Sequence, residues 1–174
     1  NMASTLKVNE LQHTGGASAA TLNSGGFLVP KVPAFEVIKT TNQTVTTVWE
    51  KVTWESESYD ISGGFDLAND RFTPTVAGIY QLNVCLAWLA GSNKAILSIL
   101  RKNGAEHRRL AYLYHTDASF DDYAIATSTQ VEANGSGDYF EVWAYCLEGS
   151  GGEVIQSASN GTNTVFSGHL IGTL

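Results

Sequence analysis

Large apolar residues recur with polar spacers between Trp54 and Val84. Trp54, Phe65, Phe72 and Tyr80 stand at intervals punctuated by Asp60 and Gly78. From Gly78 the spacing tightens to two. Tyr80, Leu82, Val84, Leu86 and Trp88 share one parity, and Ile79, Gln81, Asn83 and Cys85 share the other. Strict alternation of this kind predicts a strand with one face in a core. No window of the chain holds a sustained 3.6-residue period and no βαβ alternation occurs, so the expected fold class is all-β. Strands are expected at Ala34–Thr40, Val45–Trp54, Tyr59–Asp60, Arg71–Thr73, Gly78–Ala90, Ala95–Lys102, His107–Tyr114, Tyr123–Val131, Tyr139–Leu147, Glu153–Ser157 and Thr164–Ile171. Asn103-Gly104, set between apolar runs, is the strongest hairpin signal among the turns that separate them. Many short strands at near-regular spacing predict a sandwich, jelly roll or barrel over residues 34–174.

Residues 1–33 follow a different pattern. Short apolar runs, Leu6–Leu11, Ala19–Leu22 and Phe27–Val29, lie between the breaks Gly15-Gly16 and Gly25-Gly26. Each run is too short to be expected to form an independent sheet. This lead is expected to need copies from other chains, or a larger assembly, to bury its apolar positions. Pro30 and Pro33 stiffen the joint to the main domain.

Composition narrows the function classes. The chain has 174 residues, an apolar share of 43% and a formal charge of −7. That apolar share supports a real core, and the acidic balance excludes a nucleic-acid partner tracked along its backbone. The basic residues Arg101, Lys102, His107, Arg108 and Arg109 cluster around the expected hairpin and read as a solvated turn. Only 16% of residues are charged, a deficit that fits surface hidden in an oligomer. No apolar run is long enough for a membrane helix, and the opening residues lack the apolar core of a cleaved signal peptide. Cys85 and Cys146 fall on opposite strand faces by parity, which predicts free thiols.

No motif carries catalysis. There is no G-x-S-x-G elbow, no H-E-x-x-H and no C-x-x-C, so no catalytic residue is assigned and the chain is not expected to be an enzyme. His169 alternates with Val165, Ser167 and Ile171 and reads as a packed or interface histidine. Asp117, Asp121 and Asp122 share one loop, readable as solvated acids or as hard oxygen ligands for a structural calcium ion. The EF-hand loop pattern is absent, so the metal state stays open. Glu55, Glu57 and Asp60 form a second acidic patch with no assigned ligand. Tyr112, Tyr114, Phe120 and Tyr123 surround the acidic loop. Rings beside carboxylates suit sugar binding, because rings cover apolar sugar faces while acids accept hydroxyl hydrogens. These seven positions form the candidate receptor-binding set.

The spacing of the opening stretch, W-x5-D-x4-F-x6-F-x5-G-x-Y-x-L-x-V, resembles the signature of the complement C1q-like domain, a fold shared with the tumour necrosis factor superfamily. Trp54, Asp60, Phe65, Phe72, Gly78, Tyr80, Leu82 and Val84 stand at its positions. Trp54, Leu82 and Val84 replace aromatic residues of the family with other large apolar ones. Lys102-Asn103-Gly104, Gly137–Trp143 and Thr164–Ile171 resemble the family's hairpin, penultimate strand and closing strand. The resemblance implies a ten-stranded jelly roll in a tight homotrimer, with one sheet around the threefold axis. The collagen repeats of animal members are absent. The lead instead resembles the N-terminal segment of small virion proteins of marine and cyanobacterial phages. Together these imply a homotrimer made in a bacterial cytoplasm and placed on a virion surface. The lead would hold other virion proteins, and the head would act as a tail-fibre or spike tip on a host-surface glycan or protein. Alternatives are a capsid decoration, cement or head-fibre protein, and a secreted complement- or tumour necrosis factor-like ligand.

Overall fold

A computed structural model describes residues 8–16, 18–89, 94–116, 122–147, 153–157 and 164–173. The chain divides into two compact units, Asn1–Val32 and Pro33–Leu174. Strand is the only regular structure among the described residues, and no helix occurs there.

The first unit is a three-stranded antiparallel meander of β1 (Glu10–Gln12), β2 (Ser18–Leu22) and β3 (Leu28–Pro30). The expectation that these runs are too short to form an independent sheet is corrected here, whereas the expectation that the lead alone buries almost no core is met by its exposed residues. Leu11 pairs with Ala20, and Thr21 with Val29, while Asn23 Oδ1 accepts the Gly25 and Phe27 amides and closes the second turn. Local hydrogen bonding makes the sheet, and packing adds little. Ala20 is its one buried apolar residue among those described, whereas Leu11, Leu22, Phe27, Leu28 and Val29 are exposed.

The second unit is a sandwich of two sheets. Its strands are β4 (Ala34–Ile38), β5 (Gln43–Val45), β6 (Glu50–Lys51), β7 (Ser56–Asp60), β8 (Phe65–Asp66), β9 (Arg71–Phe72), β10 (Gly78–Leu89), β11 (Lys94–Lys102), β12 (Ala105–His115), β13 (Asp122–Ala133), β14 (Phe140–Leu147), β15 (Glu153–Ile155) and β16 (Val165–Gly172). Five of these have only two or three residues, so the long strands keep the jelly-roll plan. One sheet has seven strands in the order β5-β15-β10-β16-β4-β7, with β13 on the free side of β10. The other has six, β12-β11-β14-β9-β8, with β6 also on β14.

β10 is the axis of the seven-stranded sheet. It pairs with β13 along its whole length and with β16 from Ile79 to Cys85. Its even residues Tyr80, Leu82, Val84, Leu86 and Trp88 are all buried, and they meet Phe140, Val142, Ala144 and Cys146 of the facing sheet in one core. Aromatic rings fill the centre. Phe35 stacks on Phe72 with centroids 4.2 Å apart and meets the edge of Phe166 at 5.0 Å, and Phe72 meets Tyr80 at 5.4 Å. Such edge and offset contacts add to the area buried. The closing strand needs glycine at 168. A Cβ there would sit 2.5 Å from Leu82 Cδ2 and 2.8 Å from the Phe35 ring.

One expected strand is divided. Val45–Trp54 is not continuous: β5 joins the seven-stranded sheet and β6 the six-stranded one. Glu50 Oε1 accepts both the amide (3.0 Å) and the hydroxyl (2.7 Å) of Thr46, which folds the chain over between the sheets. The β11–β12 hairpin forms at Asn103-Gly104, with φ of 54° and 81°. Both residues occupy the left-handed region that a two-residue hairpin turn requires and that Asn and Gly tolerate.

Candidate functional site

The signature residues hold the fold. Trp54, Phe65, Phe72, Tyr80, Leu82 and Val84 are buried, and Gly78 opens β10. Asp60 is structural by another route: its carboxylate accepts the Ser62 and Phe65 amides at 3.2 and 2.7 Å. Asp70, which the sequence reading passed over, does the same for the Trp54 amide at 2.7 Å. Burial pushes the Asp70 carboxyl above its ordinary value. Glu55 is also committed. It accepts from Lys39 Nζ (3.1 Å), the Thr40 amide (2.7 Å) and the Thr41 and Thr53 hydroxyls. Burial pushes Glu55 up, but these bonds outweigh it and leave the carboxyl below its ordinary value. Lys39 is completely buried, and the loss of hydration lowers its pKa despite the Glu55 partner.

The candidate receptor-binding set separates. Tyr112 and Tyr114 project from β12, 58% and 47% exposed. Tyr123 lies on the other sheet, paired with Trp88 and packed against the core. Asp122, at the start of β13, accepts a hydrogen bond from the side-chain Nε2 of Gln156. Asp117, Phe120 and Asp121 lie outside the described residues. Among the described residues no group of three or more His, Cys, Asp or Glu converges as a metal site. Both thiols are free, Cys146 in the core and Cys85 half-buried on the outer face, and burial raises both pKa values. Protonated thiols of this kind are poor nucleophiles at neutral pH.

Two outer faces remain for interaction. On the seven-stranded sheet the centre of the outer face is small and uncharged, with Glu36, Asp122 and Glu132 on the same face around it. Asn83, Cys85, Ala126, Ser128, Val165 and Ser167 line a depression of about 320 Å³. Exposed His169 stands beside it, in register with Gln81 and Ala34, so it is not packed within the chain. On the six-stranded sheet the outer face is aromatic. Register places Tyr112, Leu97 and Tyr145 in one row across three strands, and Ile99, Trp143 and Lys51 in the next. The sequence does carry a signal for this second face. β14 reads F-E-V-W-A-Y-C-L, with Phe140, Val142, Ala144 and Cys146 on the core parity and Trp143, Tyr145 and Leu147 on the other, so apolar residues stand on both faces.

This two-sheet all-β architecture is a jelly roll. The family model of the C1q domain matches residues 34–171, and the chain belongs to that family. At family level the fold is a binding and ligand fold, not an enzymatic one. Among solved structures it is similar to the globular domain of zebrafish complement 1qA protein, at 16% identity and a TM-score of 0.63, over 82% of this chain and 99% of that one. Murine APRIL at pH 5.0 is similar at 11% identity and a TM-score of 0.57, over 81% and 100%. Eiger TNF from S. frugiperda is similar at 12% identity and a TM-score of 0.56, over 83% and 95%. No curated protein matches the chain by sequence.

Proposed function

We propose that the chain is a homotrimeric bacteriophage virion surface protein, with the lead attached to the particle and the jelly-roll head adhering to the host surface. The carrying observation is the outer face of the seven-stranded sheet. Small, uncharged side chains at Asn83, Cys85, Ala126, Ser128 and Ser167 allow another copy to approach closely without stranding a charge. Family membership supports this trimer, and three heads on one axis would bind a repetitive surface with avidity. The pattern of the lead supports the virion location.

A native mass of three chains, with binding of isolated trimers to host cells, is the expected result. Loss of the 117–123 loop should weaken that binding. A monomeric native mass removes the basis of the reading. A second reading, a capsid decoration protein, is favoured by the exposed apolar strip Phe27–Val29 of the lead, which suits docking on a shell. Trimers that ignore host cells but restore the heat stability of stripped capsids would select it.

A further inference from the structure

We infer that the outer face of the six-stranded sheet is an oligosaccharide-binding platform, built from Tyr112, Tyr114, Trp49, Trp143, Tyr145 and Arg101. This rests on the adhesion reading for its biological role but not for its chemistry. The rings are set by strand register. Tyr112 and Tyr114 stand two residues apart on β12, about 7 Å along the strand. Tyr145 lies in the Tyr112 row two strands over, about 10 Å across. Trp49 extends that row, its ring 5.2 Å from Tyr145.

The surface is held before any ligand arrives. Beneath it Ala95 and Ile99 are 0% and 1% exposed, although they point away from the core, so the flanking side chains already cover them. The Arg101 guanidinium lies 3.9 Å over the Trp143 ring centroid, and the Trp143 indole N–H donates to Glu141 at 3.0 Å. Rings fixed in this way lose little freedom on binding.

The charges select the ligand class. Lys51 is paired with Glu141 at 3.2 Å and Arg109 with Glu106 at 3.6 Å. Neither pair leaves a field for a highly charged partner. Arg101 has no carboxylate partner among the described residues and lies flat over Trp143, its Nε–H buried beneath the surface. A neutral ligand with apolar ring faces and many hydroxyls matches exposed phenol rings set among side chains whose charges are already paired.

The whole chain would be applied to an array of neutral hexose, N-acetylhexosamine and uronic-acid oligosaccharides, and the hits titrated by intrinsic fluorescence. Trp54 and Trp88 lie in the core and Trp49 and Trp143 in the platform, so a change reports the platform. The expected result is saturable binding of an oligosaccharide, about tenfold weaker for Tyr112→Ala and for Tyr145→Ala. Tyr59→Ala, on exposed β7 of the other sheet, should bind as the parent does. No saturable change with any array member, or unchanged affinity in both platform variants, overturns the inference. Host cells treated with periodate or with protease separate this from the adhesion reading. Binding lost only after protease overturns the platform and leaves adhesion standing. Array binding without any cell binding supports the platform and removes adhesion.

Discussion

The two outer faces of the sandwich share one core and one strand geometry, yet they differ in what they carry. At the centre of β10, β13 and β16 the outward residues are alanine, serine, asparagine, cysteine and valine. Across β12, β11 and β14 they are dominated by tyrosine, tryptophan, leucine and isoleucine, with Arg101, Arg109 and Glu141 among them. Small side chains let another backbone come near, whereas large flat ones hold it off and offer ring surface. The same alternation that makes a core on one side leaves the other free to be specialised, and here the two sheets are specialised oppositely.

The largest test removes what the faces share. Phe166→Ala deletes a ring at the centre of the aromatic cluster and should cost about 3–5 kcal/mol by denaturant unfolding at fixed protein concentration. Both faces should fail together. If ring-dependent binding outlives the loss of assembly, the sheets are less coupled than one core implies.

Ser128→Arg places a charge in the small-residue depression. It should convert the proposed trimer to monomer by light scattering while the far-ultraviolet circular dichroism stays that of the parent. Tyr112→Ala should leave the mass unchanged. A trimer that survives Ser128→Arg breaks the assignment of assembly to the seven-stranded sheet.

Acid should weaken the region around Glu55, beside the seven-stranded sheet. Glu55 sits below its ordinary value of 4.5 when folded. Its contribution is therefore complete above that value and is lost as pH falls through the depressed folded pKa. Glu55→Gln should flatten the fall in stability in that acid window. An unchanged profile would show that other carboxylates carry the transition. The smallest effect belongs to the exposed Arg109–Glu106 pair on the aromatic face. Arg109→Ala should change stability by at most about 0.5 kcal/mol in thermal unfolding.

Much of this architecture is legible in the sequence because it rests on parity. The β10 alternation, the opposed cysteines and the Asn103-Gly104 hairpin all follow from period two and from turn chemistry, which are local. The break inside Val45–Trp54 is not local in that way, since it depends on Glu50 turning back to Thr46 and on which sheet each half joins. The site is harder still. Tyr112 and Tyr114 stand out as rings near acids. Their true neighbours, Tyr145 and Trp143, lie some thirty residues further on and meet them only through pairing with β11. Tyr123, adjacent in sequence to the acidic loop, belongs to the other sheet.

The position of β16 has a kinetic consequence. This last strand lies between β10 and β4, so each of those waits for a partner made long after it. A ribosome-bound chain ending before Val165 leaves both with open backbone edges, templates for pairing with the wrong molecule. Folding dominated by such distant pairings runs on the order of milliseconds to seconds. The step that completes the sheet thus waits for a strand made after both of its partners, and the concentration of unfinished chains during that interval governs how much protein is lost to aggregation.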